Sequence, residues 1–348
     1  MLRRIVLAGV LLGSLPLWLF VGFGLWRGHD VLAAFQAVFR DPAGTTVPLA
    51  DVPVHTPRRV EWLGNLEDLE LAEASGLAVS TRRDDLLWAH NDSGNPHDVF
   101  ALDSRGRALG TLRVDDSRLG DWEDMASFRL DGRSYLMLGD VGDNYRWRRE
   151  LELIVIEEPE VPSTGLPPGS RAQPAWVLRY AYPDGHLDCE ALAVDPATEE
   201  VLLIVKQRVP ARVYRIPLRP SEGDVVHIAE RIATLDALPQ PDERVLLEDP
   251  EFGEARSQPT AFDIARDLAA VITYGDAYLY PRAPGATWAE TFRGVPLRVA
   301  LPPASQREAG ALAGDASRLF VTSERGRRGE AALFGVELGP DLLTSRPE

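Results

Sequence analysis

The chain of 348 residues contains one cysteine, Cys189, so no internal disulfide can form and a cross-linked scaffold is excluded. Lysine is equally scarce. Lys206 is the single lysine, and every other basic side chain is arginine. The six histidines include no His-x-x-x-His pair and no Cys-His cluster, which removes the usual zinc spacings. A Gly-x-Ser-x-Gly elbow is also missing, so serine hydrolysis of the α/β type is not provided for. The net charge of −16 excludes nucleic acid and anionic lipid as expected partners, because both reward a basic surface, and it suits a protein that binds cations.

Long apolar runs are confined to the N-terminus. Ile5 to Trp26 carries no charge and follows Arg3 and Arg4, a length sufficient for a bilayer core of ~30 Å. No small-residue cleavage site follows, so residues 1–27 are expected to form a retained signal anchor. The arginines on its N-terminal side place that end in the cytoplasm and the remainder on the periplasmic face of the inner membrane. Residues 28–57 read as a juxtamembrane helix (Val31 to Phe39) and a Pro-containing linker. Residues 341–348 read as a tail.

Five stretches of the intervening region, residues 58–340, open alike: Glu73-Ala-Ser-Gly-Leu-Ala, Asp121-Trp-Glu-Asp-Met-Ala, Asp188-Cys-Glu-Ala-Leu-Ala, Thr260-Ala-Phe-Asp-Ile-Ala and Glu308-Ala-Gly-Ala-Leu-Ala. Each is followed by β-prone runs separated by turn residues, as expected of an all-β, five-bladed β-propeller with four antiparallel strands per blade. Val225 to Ala229 is assigned as the fourth strand of blade three. Blade five is one strand short, and Arg59 to Leu63 is expected to complete it beside Leu333 to Val336, closing the ring. A count of six would require a cryptic blade in one of the insertions, Pro159 to Pro174 or Asp236 to Gln258. The latter is expected to cover the functional face.

Strand polarity places the five opening residues, Glu73, Asp121, Asp188, Thr260 and Glu308, around one mouth of the channel. The ends of the second strands fall at the same mouth. Those ends are His90-Asn-Asp-Ser-Gly-Asn, Gly139-Asp-Val-Gly-Asp-Asn, Lys206-Gln-Arg, Tyr274-Gly-Asp and Ser323-Glu-Arg. Asp and Asn before Gly are ordinary turn formers, and each acid can cap loop amides of its own blade. Their convergence supports a cation instead, Ca²⁺ or Mg²⁺ by the hardness of oxygen ligands. Candidate ligands are Glu73, Asp121, Glu123, Asp188, Glu190 and Glu308. His90, Asp92 and Lys206 are candidate catalytic residues. Asn91, Asp140, Asp143, Asn144, Tyr274 and Glu324 would face a substrate. Cys189 and Trp122 alternate with the acids and should point into the packing between blades.

Ser75-Gly-Leu-Ala, Trp88-Ala-His-Asn-Asp-Ser-Gly-Asn, Phe100-Ala-Leu-Asp with Gly106, Asp121-Trp-Glu-Asp and Gly139-Asp-Val-Gly-Asp-Asn resemble the bacterial propellers grouped as phytase-like or SdiA-regulated, relatives of the NHL and lactonase-type propellers. The resemblance covers most of residues 58 to 338 and implies a metal-friendly central face, with calcium as the metal. Two functions fit: hydrolysis of a small ester, phosphoester or lactone by metal-activated water, or a non-catalytic envelope module in which a structural calcium ties the blades together. The expected partner is a small molecule or an envelope component, and the expected state is a monomer.

Overall fold

The computed structural model describes residues 47–339 and Leu342, apart from 116–119, 207–209, 221, 222, 224, 249–252, 305 and 326–328. The proposed anchor and juxtamembrane helix, and nearly all of the tail, lie outside the described residues. Among those described, no helix is long and apolar enough to cross a membrane.

Five sheets follow one another along the chain. After β1 (Arg59–Asn65), blade one holds β2 (Ala74–Val79), β3 (Leu86–Asn91), β4 (Asp98–Asp103) and β5 (Ala108–Val114). Blade two holds β6 (Trp122–Leu130), β7 (Arg133–Asp140), β8 (Leu151–Glu157) and, after the short β9 (Ser170–Ala172), β10 (Pro174–Ala181). Blade three holds β11 (Cys189–Asp195), β12 (Glu200–Val205), β13 (Arg212–Pro217) and, after β14 (Val226–Ile228), β15 (Glu230–Thr234). Blade four, β16 (Pro259–Ala265) to β19 (Leu297–Ala300) through β17 (Leu268–Thr273) and β18 (Asp276–Pro281), is preceded by the short helix α1 (Glu243–Glu248). Blade five has β20 (Ala309–Leu312), β21 (Arg318–Thr322) and β22 (Ala332–Glu337), and β1 completes it. The closing pair is antiparallel, with Val60 opposite Val336 and Trp62 opposite Phe334.

Each sheet packs on both faces against neighbouring blades, so the inner strands read as continuous apolar runs. Along β12 every residue from Val201 to Val205 is buried, and all of β17 is buried as well. Apolar cores lie between successive blades: Leu136 and Ile154 meet Trp88 between blades one and two, and Leu203 meets Leu153 between blades two and three. Cys189 and Trp122 are buried in such cores, as their alternation with the acids implied.

The outer edges are also covered, which removes sites for strand addition. Ser170–Ala172, just ahead of blade two's outer strand, pairs in parallel with β5 of blade one. Val226–Ile228 does the same to β10 of blade two. The Val225 to Ala229 segment therefore protects its neighbour, and blade three's own fourth strand is Glu230–Thr234. Val54 forms a parallel bridge to Arg298 at the edge of blade four.

Four of the first strands carry a bulge at the mouth. The extra residues are Ser75, Glu123, Glu190 and Thr260, each between two residues paired with consecutive positions of the second strand. This shared register corrects the repeat frame in blade four: Thr260 corresponds to Glu123 and Glu190, and Gln258 stands where Asp121 and Asp188 stand. A bulge lets consecutive side chains serve the same side of a strand. Glu123 accordingly joins the acids at the mouth while the next residue, Asp124, enters the channel. There its Oδ2 accepts from the Leu192 amide of blade three at 2.8 Å and the Phe262 amide of blade four at 3.1 Å, and its Oδ1 accepts from the Met125 amide. Asp263 repeats the device, accepting from Leu312 of blade five at 2.7 Å.

Asp124→Leu should strand three buried amides. An unsatisfied buried donor costs about 1–3 kcal/mol, so the variant is expected to lose several kcal/mol in urea unfolding or to fail to fold, with Asp124→Asn, which keeps one acceptor, falling in between. A variant with unchanged midpoint would show that the axis contact is not structural.

Candidate functional site

The bulges and second-strand ends bring seven acids to one mouth. Carboxylate oxygens of Asp92, Asp121 and Glu123 lie within 4.8 Å of one another, as do those of Glu123, Asp188 and Glu190, and those of Asp92, Glu308 and Glu324. These three overlapping groups run from blade five through blades one and two to blade three. Glu73 does not join them. It is exposed, and its Oε2 accepts from Asn95 Nδ2 at 2.6 Å.

Burial and the charges of neighbouring acids hold Asp92, Asp121, Glu123, Asp188, Glu308 and Glu324 toward their neutral forms. Burial, then the charges of Glu308 and Glu190, push Asp92 up to about 8. Burial and Glu190 push Asp188 up to about 7. Burial, with Glu190 next, also raises Glu123 and Asp121, and burial raises Glu308 and Glu324. Like charges in one dry recess cannot all ionise without a compensating cation.

One such cation belongs to the chain. Lys206 Nζ lies 2.8 Å from Glu190 Oε2, both side chains being nearly inaccessible, and 5.5 Å from the centre of the Tyr274 ring. Tyr274 in turn donates to Glu308 Oε1 at 2.7 Å. Burial alone would lower the Lys206 pKa, but Glu190, Tyr274, Glu308 and Asp188 together outweigh it and hold the ammonium well above its usual range. Lys206 is thus a fixed positive charge at neutral pH, suited to a counter-ion role and not to that of a base.

Several of the predicted substrate-facing residues build the mouth instead. Asp188 Oδ1 accepts from the Asp143 amide, and the Asp143 carboxylate accepts from the amides of Trp147 and Arg148. Asp140 accepts from the Asp121 amide at 2.8 Å and from Arg148 Nη1 at 2.7 Å. Asn91 ties the loop ahead of β2, accepting from the Glu73 amide and donating to the Glu70 carbonyl. Asn144 is half-buried on the loop beyond Asp143. His90 has no exposed surface. Its Nδ1 is 2.8 Å from the Asn91 carbonyl oxygen, Trp122 lies edge-on at 5.4 Å, and burial lowers its pKa to about 4. The imidazole is therefore neutral and beneath the recess, out of reach of a ligand at the mouth.

Asp92, Asp121 and Glu123 fit a divalent cation best. Among the described residues, buried Asp121 Oδ1 has no hydrogen-bond partner. Gly142 sits against the two carboxylates, where a β-carbon would collide with Glu123 Oε1 and Asp121 Oδ2. In the adjoining group, Glu190 already has Lys206 and Asp188 already has a loop amide. Sequence reasoning missed Asp124, Asp263, Arg148 and Gly142. Asp124 had a visible signal, an acid at the position filled by Gly76, Ala191 and Ala261 in other blades, but its meaning required the bulge.

Lys206→Met should leave Glu190 buried and unpaired. Breaking a buried pair from one side costs about 3–5 kcal/mol, so a marked fall in melting temperature is expected, partly recovered when Glu190→Gln is added and the unpaired charge is removed. A Lys206→Met melting curve matching the parent would refute the counter-ion role.

No family model matches the chain, and no curated protein matches it. Among solved structures, a gluconolactonase from Xanthomonas campestris, XC5397, aligns at 15% identity over 85% of this chain and 98% of that one, with a TM-score of 0.40. The Pan2 WD40 domain of Neurospora crassa aligns at 10% identity over 82% and 99%, with a TM-score of 0.40. The RRP9 WD40 repeats align at 12% identity over 76% and 67%, with a TM-score of 0.39.

Proposed function

We propose that this chain is a membrane-anchored, periplasmic β-propeller that holds Ca²⁺ or Mg²⁺ at the acid-rich mouth and hydrolyses a small ester, phosphoester or lactone there, as the resemblance to phytase-like and lactonase-type propellers suggests. The observation that carries the reading is the Asp92, Asp121 and Glu123 triad, with its mutual approach within 4.8 Å and its unpartnered buried oxygen on Asp121. A divalent cation bound there would supply a Lewis acid and a water of lowered pKa. Asp121 and Glu123 would hold the cation from strand and bulge, Asp92 would complete the set, and Gly142 leaves the room. Lys206, fixed on Glu190 beside Tyr274, would orient an anionic or carbonyl oxygen of the ligand. Glu308 and Glu324, whose raised pKa values leave them able to hold a proton, would pass it to a leaving group.

The saturation of Asp140, Asp143 and Asp188 by loop amides and Arg148 supports a second reading, a non-catalytic envelope module whose cation braces the blades. Turnover separates the two.

The full-length protein in detergent should be stabilised by millimolar Ca²⁺ or Mg²⁺, by about 2.7 kcal/mol at a hundredfold excess over Kd. Asp121→Asn with Glu123→Gln, and separately Gly142→Ala, should abolish that shift. A panel of chromogenic esters, phosphoesters and lactones should show turnover that a chelator removes. Cation-dependent stability without turnover on any of them would favour the module, and an unchanged melting temperature in chelator and in cation would overturn the metal site.

The pH dependence has a definite sign. Asp92 and Asp188 titrate at about 8 and about 7 in the folded state, above the ~3.9 of an unfolded Asp. Between those values the folded state binds more protons than the unfolded one, so stability falls as pH rises. In chelator the melting temperature should therefore decline from pH 5 to pH 8, and millimolar divalent cation should flatten the decline. A profile that rises with pH in chelator would contradict the assignment.

A further inference from the structure

At the opposite mouth, a cavity of about 520 Å³ opens between blades one and two. Its walls are the turn after β2, the turn after β6 and the segment following β8. Four arginines line it, Arg82, Arg83, Arg129 and Arg133, with two glutamates, Glu157 and Glu160, and Asp85 beside the lining takes up Arg83 through Nε at 3.0 Å and Nη2 at 3.1 Å.

The wall is rigid. Glu158 is fully buried, accepting from Trp88 Nε1 at 3.0 Å, from the Thr81 hydroxyl at 2.8 Å and from Ser80. Arg82 Nε donates to the Glu158 carbonyl at 2.9 Å, and Arg83 Nη1 to the Val161 carbonyl at 3.1 Å. These bonds fix two guanidinium groups, and with Asp85 on Nε and Nη2 of Arg83 the donors left for a ligand are those of Arg82.

The glutamates do not consume those donors. Arg82 lies 4.0 Å from Glu157 and 3.9 Å from Glu160, and Arg133 lies 3.7 Å from Glu157. Those separations are attractive but beyond hydrogen-bond reach. Elsewhere on this surface Arg215, Arg298 and Arg282 meet carboxylates at 2.6, 2.8 and 3.0 Å. Guanidinium forks match phosphate oxygens in geometry, and Arg82, Arg129 and Arg133 are the ones not taken up by Asp85. The volume exceeds that of a bare oxyanion and falls in the range of small-molecule sites, with Leu86, Pro159 and Val161 supplying apolar wall.

We infer that this cavity binds a phosphomonoester of a small organic molecule, with the dianion on the arginines and the carbon portion against Leu86, Pro159 and Val161. The site is separate from the acid-rich mouth and does not depend on a cation there.

Calorimetric titration of the full-length protein in chelator at fixed ionic strength tests it, with phenyl phosphate as probe and phenol and inorganic phosphate as the two half-ligands. Saturable binding of phenyl phosphate is expected, weaker binding of inorganic phosphate, and none of phenol. Arg129→Ala with Arg133→Ala should weaken phenyl phosphate about tenfold or more, at unchanged melting temperature because both side chains are exposed. Glu157→Gln should strengthen it. Absence of saturable binding at millimolar probe, binding indifferent to the double substitution, or loss of binding in Asp121→Asn instead would each overturn the assignment.

Discussion

The inner edge of each first strand faces the axis of the ring, where no further strand is available to receive its amides. A backbone donor left unpaired there costs more than most side-chain contacts return. Asp124 resolves this for three blades at once, taking amides from Met125, Leu192 and Phe262, and Asp263 resolves it between blades four and five. Burial pushes Asp124 well above the usual carboxylate range and Asp263 up to about 7, which reduces the charge each places in the channel. The axis is thereby tied as firmly as the circumference, where β1 closes blade five.

The same bulge that frees Asp124 to enter the channel turns Glu123 to the mouth. Its counterpart in blade three, Glu190, meets Lys206, while in blades one and four the bulged residue is a hydroxyl that stitches neighbours, Ser75 to the Glu123 carbonyl and Thr260 to the Arg307 carbonyl. Charge at the mouth is thus concentrated on blades five, one, two and three. Blade four contributes Tyr274, whose hydroxyl serves Glu308. The asymmetry gives one side of the ring the oxygen-rich chemistry that a cation requires and leaves the other structural.

The two faces of the ring carry different charged groups. Acids dominate where first strands begin, and arginines with loosely placed glutamates line the cavity where they end. An overall charge of −16 describes neither.

The periodic openings, the turn residues between β-prone runs and the missing strand in blade five were sufficient to establish an all-β ring of five blades closed by Arg59 to Leu63, because each depends only on local pattern and chain order. Strand polarity alone also placed Asp92, Asp121, Glu123, Asp188, Glu190, Glu308 and Glu324 at one end. The pattern did not reveal the bulges, since a bulge adds a residue without changing composition, and so the frame of blade four slipped by two residues and Asp124 was passed over. Nor did it separate the acids that face one another from Asp140 and Asp143, which spend their oxygens on loop amides and Arg148, or show that His90 lies beneath the recess. Those distinctions arise from contacts between residues of different blades, and only the closed ring sets the distances on which charge, burial and hydrogen bonding depend.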